Sequence, residues 1–235
     1  MVNSLVIGMG QIGQAVKEVT ESQHSFDSAN DTWADVSDVD VLHICIPYSD
    51  DFVAAVKGYI ELVKPKHIAV WSTVPIGTCG DIDRRIVHTP VEGKHPDLEL
   101  SIRFMERWIG ANDAEEGQWF AKYFREFGLR TKVLPRAKFT EALKLLSTTE
   151  YGVNIEFARY KKEVADSMRM PYDYMKEWNE EYNRLYRNLA LDKKFQKFVL
   201  DAPEGKKGGH CVTPNARLLH EQFPNDFVKA VGEIE

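Results

Sequence analysis

The stretch that decides the fold is NSLVIGMGQIGQAVKEV, residues 3–19. A short apolar run is followed by glycines at positions 8, 10 and 13, and apolar side chains then recur at helical spacing. Between a strand and a helix, such glycines permit a tight turn, close approach of a pyrophosphate and close helix packing, and the helix N-terminus offers N–H donors to phosphate. A dinucleotide turn is therefore predicted, and an ordinary glycine turn is the alternative. The predicted binding residues are Gly8, Met9, Gly10, Gln11, Ile12 and Gly13.

A dinucleotide site also needs an acid about 20 residues after the first glycine, where a carboxylate binds the ribose hydroxyls. The stretch HSFDSAN, residues 24–30, places Asp27 there. A carboxylate repels a ribose 2′-phosphate and no Arg follows closely, so NAD is favoured over NADP. Asp31 is a rival for this role, and a plain turn residue is the alternative interpretation of Asp27.

Strand and helix patterns alternate through the first half of the chain. Apolar runs at 40–48, 67–73, 84–91 and 131–135 are typical of buried strands. The segments 51–64 and 114–128 have amphipathic helical spacing, and Asp113 with Glu116 forms a predicted capping box at the second. This order predicts an α/β fold with a Rossmann doubly wound parallel sheet, which binds its ligand at the carboxyl ends of the strands. That edge would gather Glu92 with the predicted cofactor-binding residues Pro47, Tyr48, Ser72 and Thr73 and the predicted substrate-binding residue Thr89.

After Pro135 only helical patterns remain, so the sequence predicts an NAD-binding domain over 1–135 and a smaller all-α domain over 136–235. One long helix is predicted over 138–170. A second is predicted over 173–191, with its apolar stripe in the core. Near the C-terminus, Thr213 is placed as an N-cap and Pro214 as the first helical residue. The apolar stripe consists of Met175, Trp178, Tyr182 and Leu185.

The composition narrows the classes of partner. The formal charge is −6 and the basic residues are dispersed, so nucleic acid is not an expected partner. Three widely spaced cysteines favour neither a disulfide framework nor a zinc site and indicate a reducing cytoplasm. With no run of 18 apolar residues, no membrane span is predicted. For His88, His95 and His210 a polar role is favoured over metal ligation, and no metal is expected.

Taken together, the motifs resemble the nucleotide-sugar dehydrogenases, the group of UDP-glucose and GDP-mannose dehydrogenases within the 6-phosphogluconate dehydrogenase-like superfamily. The similar segments are the Gly8–Gly13 turn, IPY at 46–48, STVPIGT at 72–78, TPVEG at 89–93, TEALKLLSTTEYGVNIEF at 140–157 and GGHC at 208–211. The resemblance spans residue 8 to about residue 215. The glycine turn is common to many families, whereas STVPIGT and a lysine with a downstream GGxC are more specific.

The resemblance implies that the chain oxidises the primary alcohol of a sugar to a carboxylate with two molecules of NAD. In that chemistry Cys211 attacks the intermediate aldehyde, the thiohemiacetal loses a second hydride, and water cleaves the thioester. Lys144 would steady the developing oxyanion, and Glu92 approximates the glutamate that assists hydrolysis. Thr73 is similar to the residue beside the nicotinamide. A dimer through residues 138–170 is also implied.

Three features differ from the family. Thr148 replaces an asparagine that binds the oxyanion, and Asn215 replaces an aspartate; an amide is no general base. We also expect no counterpart of the second α/β domain that follows the cysteine segment in the family. The sequence therefore predicts a smaller substrate, such as a polar alcohol or a sugar phosphate, or a site completed by a partner subunit. Lys94 and His95 would contact an anionic substrate or lie in a solvated loop, and His210 is a further substrate-binding candidate.

Alternatives remain for the two catalytic candidates. A thiol just before a helix start lies at the positive end of the dipole, which favours thiolate, but a lone cysteine is more often a small buried hydrophobe. Lys144 stabilises an alkoxide if it lies in a closed crevice, or it faces solvent on an exposed helix. Two functions follow: an NAD-dependent dehydrogenase acting on a primary alcohol, performing one oxidation or two, and a non-catalytic NAD(H)-binding sensor or subunit.

Overall fold

The computed structural model describes residues 2–29, 36–93, 96–189, 196–202 and 211–233. The chain divides into two compact units, Met1–Leu145 and Leu146–Glu235. The division falls within one long helix. The domain boundary that the sequence predicts after residue 135, where the α/β pattern ends, stays a prediction. No helix in the described part of the chain is both long and apolar enough to cross a membrane.

The first unit is built on a seven-stranded sheet whose strands lie in the order β2-β1-β3-β4-β5-β6-β7. The strands are β1 (Ser4–Ile7), β2 (His24–Phe26), β3 (Val41–Ile44), β4 (His67–Val70), β5 (Ile86–His88), β6 (Arg107–Ala111) and β7 (Thr131–Leu134). The first five are mutually parallel, so their carboxyl ends share one edge. The predicted α/β class is confirmed.

The sheet is parallel except at one place. Strand β6 pairs antiparallel with β5, and β7 then pairs parallel with β6. The sequence pattern predicted no strand over residues 107–111. As a result of the reversal, Arg107 at the start of β6 lies beside the segment that follows β5.

The helices of this unit cover both faces of the sheet, as the doubly wound architecture requires. They are α1 (Gln11–Val19), α2 (Phe52–Val63), α3 (Thr78–Ile82), α4 (Leu98–Phe104), α5 (Ala114–Glu126) and the start of α6 (Ala137–Ser167). Alternate residues of β1 enter different cores: Val6 packs with Val16 and Phe120, whereas Leu5 and Ile7 pack on the opposite face. Strands buried on both faces explain the nearly continuous apolar runs of the sequence.

The start of α5 follows the predicted capping box only in part. Asp113 accepts the N–H groups of Glu115 at 2.8 Å and Glu116 at 3.5 Å, which is the expected N-cap. The carboxylate of Glu116 is instead 2.9 Å from Nδ1 of His67 on β4. The side chain therefore ties α5 to the sheet.

The second unit contains the rest of α6, together with α7 (Asp173–Asn188), α8 (Val212–Gln222) and α9 (Asp226–Gly232). Val212, Ala216 and Val231 form its small core. A Cβ at Gly152 of α6 would overlap Val212 and lie 2.6 Å from Val231, so the glycine allows α8 and α9 to pack closely.

Two predictions about this unit are wrong. The stripe on α7 is not core: Trp178 is 74% exposed and Leu185 is 51% exposed. Helix α8 begins at Val212 with Cys211 as its N-cap residue, not Thr213, so Pro214 lies inside the first turn. Proline is tolerated there because the first four N–H groups of a helix have no intrahelical acceptor.

A buried polar network crosses the first unit beneath α5. The indole Nε1–H of Trp71 donates to Nδ1 of His43 at 3.1 Å, so the other ring nitrogen carries the proton and faces the hydroxyl of Tyr123 at 3.3 Å. Burial lowers the pKa of His43 to about 3. Burial likewise lowers the pKa of His88 on β5 to about 4, and the charge of Lys144 acts in the same direction. Both rings are neutral in the native protein near pH 7.

This burial predicts a loss of stability as the pH falls. Between pH 7 and pH 5 the native state keeps both rings neutral, whereas unfolded histidines have a pKa of about 6.5 and take up protons. Each ring should therefore lower the free energy of unfolding by about 2 kcal/mol over this range. Urea unfolding at several pH values measures this loss of stability. His43→Gln should remove about half of the pH dependence, and a free energy that is constant from pH 7 to pH 5 would contradict the account.

Candidate functional site

The glycine turn between β1 and α1 is built on two close contacts. Gly8 has a φ of +90°, a left-handed conformation that favours glycine, and a Cβ there would lie 2.9 Å from the carbonyl oxygen of Cys45. A Cβ at Gly13 would overlap the carbonyl oxygen of Gly8. Gly8 and Gly13 therefore let α1 start directly against the end of β1, as a dinucleotide turn requires.

Gly10 differs from its two neighbours because its Cβ position is open. It is the N-cap residue of α1, with φ −65° and ψ −174°, and apart from its two chain neighbours no atom of the described residues lies within 4 Å of the Cβ it would carry. Packing among the described residues therefore does not require a glycine here, whereas a ligand approaching the helix N-terminus would. The open side lies at the carboxyl edge of the parallel strands, with Met9, Gln11 and Ile12 in the same turn.

Asp27 follows β2 and contacts the same turn. One carboxylate oxygen accepts the N–H of Met9 at 2.7 Å, and the other accepts the N–H of Ala29 at 3.0 Å. These two hydrogen bonds lower the pKa of Asp27, so the carboxylate is charged at neutral pH. The negative charge is therefore fixed beside the turn, where a ribose lies in dinucleotide sites. Its rival, Asp31, lies outside the described residues.

The segments that follow β3, β4 and β5 are joined by hydrogen bonds. The Ser72 hydroxyl after β4 donates to the carbonyl of Ile46 after β3 at 2.6 Å. The carbonyl of Ser72 accepts from Nε2 of His88, at the end of β5, at 3.0 Å. Because that nitrogen is the donor, Nδ1 of the neutral ring accepts from the hydroxyl of Thr140 on α6, 2.8 Å away. A continuous chain of contacts thus crosses the carboxyl edge of the sheet.

The remaining predicted residues of this edge lie on the same three segments. Pro47 and Tyr48 follow β3, and the Tyr48 ring packs on Phe52 at 5.5 Å between centroids. Thr73 is partly exposed beside Ser72, whereas the hydroxyl of Thr89 is buried and has no hydrogen-bond partner among the described residues.

Lys144 and Glu92 form an ion pair at this edge. The ammonium of Lys144 lies 3.3 Å from the Glu92 carboxylate and donates to the carbonyl of Val91 at 2.8 Å. The Lys144 side chain is only 12% exposed, so the alternative of a solvent-facing lysine does not describe it. A positive charge beside a carboxylate that is 34% exposed can stabilise a developing oxyanion.

Three residues that the sequence analysis did not single out also shape the edge. Thr140 bridges α6 to His88, and Glu141 binds the backbone of the segment after β4. Arg107 is 2% exposed and donates to the carbonyl of Pro90 at 3.1 Å. Thr140 and Glu141 begin the TEALKLL run that carries Lys144, so the sequence held a signal for both. Arg107, a lone arginine at the start of a strand, had no such signal.

In the second unit, Cys211 is exposed at the N-cap of α8, while Cys45 and Cys79 in the first unit are buried. The thiol is therefore not the small buried hydrophobe of the alternative interpretation. Asn215, one turn later, is 5% exposed, and its Nδ2 has no hydrogen-bond partner among the described residues. Thr148 follows Lys144 by one turn on α6.

The predicted substrate-binding residues Lys94, His95 and His210 lie outside the described residues. In the part of the chain that the structure describes, no group of three His, Cys, Asp or Glu side chains is placed to hold a metal ion.

Comparison with solved structures shows the same fold in dehydrogenases. The chain matches a UDP-D-ManNAc dehydrogenase from Pyrococcus horikoshii with a TM-score of 0.75 and 17% identity, over 97% of this chain and 67% of that one. A UDP-glucose dehydrogenase from Pyrobaculum islandicum matches with a TM-score of 0.70 and 15% identity, over 99% and 68%. A Mycobacterium tuberculosis 3-hydroxyisobutyrate dehydrogenase matches with a TM-score of 0.71 and 10% identity, over 99% and 92%.

No protein-family model matches the sequence, and no curated protein matches it. The resemblance to nucleotide-sugar dehydrogenases is confirmed at the level of the fold, which spans about two thirds of their chains. At these identities the likeness shows the fold alone. The class that the comparison defines is a Rossmann-type α/β fold, which this chain shares with dehydrogenases.

The glycine geometry predicts opposite effects of two similar substitutions. Gly13→Ala should lower the free energy of unfolding by about 3 kcal/mol, because the new methyl group overlaps the Gly8 carbonyl. Gly10→Ala should cost less than about 1 kcal/mol, because its methyl group enters open space at an N-cap. Urea unfolding of both variants measures the difference, and equal losses of stability would contradict the packing described.

Proposed function

We propose that this chain is a cytoplasmic NAD-dependent dehydrogenase that oxidises a primary alcohol of a sugar-like or other small polar substrate. The observation that carries the proposal is the glycine turn: Gly8 and Gly13 are required by packing, whereas Gly10 is not. The open Gly10 position fits a pyrophosphate at the N-terminus of α1. When bound, NAD supplies the hydride acceptor.

The preference for NAD over NADP rests on Asp27. Its charged carboxylate is held by the N–H groups of Met9 and Ala29, so it cannot withdraw from a ribose without losing both hydrogen bonds. A 2′-phosphate placed there would meet a fixed negative charge, whereas ribose hydroxyls would donate to it.

Lys144 and Glu92 are the proposed polar groups of the oxidation site. The Lys144 ammonium is held by the Val91 carbonyl and stabilises negative charge on a substrate oxygen. The Glu92 carboxylate is partly exposed and accepts the hydroxyl proton as the alcohol is oxidised. The ion pair keeps both side chains ordered without substrate.

Cys211 is the proposed nucleophile toward an aldehyde product. Its sulfur would bond to the carbonyl carbon while the carbonyl π electron pair moves to oxygen and the thiol proton passes to that oxygen, forming a thiohemiacetal. The exposure of Cys211 at the N-cap of α8 supports this role. Asn215 cannot act as the general base of a hydrolytic step, and it is buried. We therefore infer one oxidation per substrate rather than two.

A second candidate function is a non-catalytic NAD(H)-binding sensor or subunit. Burial of Asn215, where the resembling family has an aspartate, favours it. Both candidate functions use the glycine turn to bind NAD(H). They differ in whether the protein turns over a substrate.

Calorimetric titration with NAD and NADH tests the cofactor site that both candidate functions share. The wild type should bind both, and Gly10→Ala should weaken binding at least about tenfold, because its methyl group occupies the space of the pyrophosphate. Equal affinity of the two proteins, or no binding by the wild type, would contradict the proposed cofactor site.

Turnover separates the two candidate functions. Sugar alcohols, sugar phosphates and nucleotide sugars are screened for NADH formation by absorbance, with one NADH expected per substrate. Lys144→Ala should abolish NADH formation, whereas Cys211→Ser should still form NADH because the thiol acts only after the alcohol has been oxidised. Both variants should leave NAD affinity within about threefold, under 1 kcal/mol. Binding without turnover on all of these substrates would favour the sensor or subunit, and loss of NAD affinity in both variants would contradict the assigned roles.

We also propose a homodimer formed through residues 138–170. Helix α6 exposes Tyr151, Phe157 and Tyr160 to between 54% and 59% of their areas, and the Phe157 and Tyr160 rings stack at 6.3 Å. Large aromatic side chains exposed together are typical of protein interfaces.

Sedimentation of the wild type should therefore show a dimer, and Phe157→Lys should shift it toward the monomer because a charge would enter the interface. Leu62→Lys on α2 is the matched control, since Leu62 is also 59% exposed. A monomeric wild type, or dissociation by both variants alike, would exclude this interface.

A further inference from the structure

Glu141 is a buried carboxylate with no role in the proposed chemistry. Its side chain is fully buried, and its two oxygens accept the backbone N–H groups of Gly77 at 2.5 Å and Cys79 at 2.9 Å. Both partners are more than 60 residues away in the sequence and follow β4. Burial raises the pKa of Glu141, and these N–H donors act in the opposite direction. A carboxylate in this position costs desolvation energy, so the hydrogen bonds it makes are strong constraints.

The segment that Glu141 holds runs from Ser72 to Thr78 and forms part of the proposed cofactor site. Its start is fixed by the contacts of Ser72 with Ile46 and His88. Its end is fixed by Glu141 at Gly77, where the backbone has a φ of +107°. Thr73 lies between these two anchors. The partly exposed surface beside Thr73 is therefore held from both ends.

Glu141 also lies on the helix that carries Lys144. The two residues are three positions apart on α6, which is nearly one helical turn. Thr140, the preceding residue, binds His88. The same turn of α6 thus determines the position of the segment after β4 and of the ammonium group that we assign to the oxidation.

We propose that Glu141 is a positioning residue that holds the Ser72–Thr78 segment against α6, so that the nicotinamide half of the dinucleotide meets a preformed surface beside Lys144. The inference rests on the proposed function and deepens it by dividing the cofactor site into two parts. The glycine turn and Asp27 bind the adenosine diphosphate half. The segment held by Glu141 binds the nicotinamide half and does not contribute to binding of the adenosine diphosphate half.

Glu141→Gln tests this division. The amide keeps one oxygen to accept one N–H, but its NH₂ group faces the other N–H and displaces the segment. Affinities for NADH and for ADP-ribose, which has no nicotinamide, are measured by calorimetry. NADH affinity should fall about tenfold while ADP-ribose affinity stays within about twofold. Glu61→Gln, an exposed change on α2 outside the proposed dimer interface, is the control and should alter neither affinity.

The other outcomes overturn the inference. Unchanged NADH affinity, or equal weakening of NADH and ADP-ribose, would show that Glu141 has no selective role at the nicotinamide half. A thermal melt verifies folding, and if Glu141→Gln does not fold, Glu141→Asp, which keeps the charge but retracts it, is judged by the same two affinities. If neither variant folds, Glu141 serves stability and the inference fails. A wild type that binds neither compound overturns the proposed function, and this inference with it.

Discussion

The contact between Gly13 and the carbonyl of Gly8 is the constraint on which the first unit depends. Because neither position has room for a Cβ, α1 begins directly over the end of β1. The helix can then cover one face of the sheet, and its N-terminus lies at the edge where the parallel strands end. One packing requirement therefore produces both a buried core and the open helix N-terminus at which we propose that the pyrophosphate binds.

The arrangement of this edge depends on polar contacts that run across the strands. Ser72 and His88 join the segments after β3, β4 and β5, and Thr140 extends the connection to α6. Each contact joins residues that are far apart in the sequence, so the edge forms only when the sheet is complete. Such a chain keeps Lys144 and Glu92 in register with the glycine turn of the same unit. Rigid support of this kind is what positioned catalytic groups require.

The features that were predictable from the sequence have local causes. A glycine turn, the acid after β2 and apolar runs of buried strands each follow from short-range stereochemistry. Strand β6 was missed because it opens with a buried arginine, Arg107, and runs antiparallel to its neighbour, so neither composition nor the repeating strand-helix order indicated it. The residue spacing also predicted an apolar stripe on α7, but it could not predict what packs against that stripe. Trp178, one of its residues, faces solvent. The hydrogen bonds of Glu141 depend on tertiary contacts and have no periodic signal.

We propose that the glycine turn and Asp27 bind the adenosine half of NAD and that the segment after β4 faces the nicotinamide. A crystal structure with NADH is the decisive measurement. We expect the pyrophosphate over Gly10, ribose hydroxyls at the Asp27 carboxylate and the nicotinamide beside Thr73. NADH bound at any other surface, or density for the adenosine half away from Asp27, would contradict it.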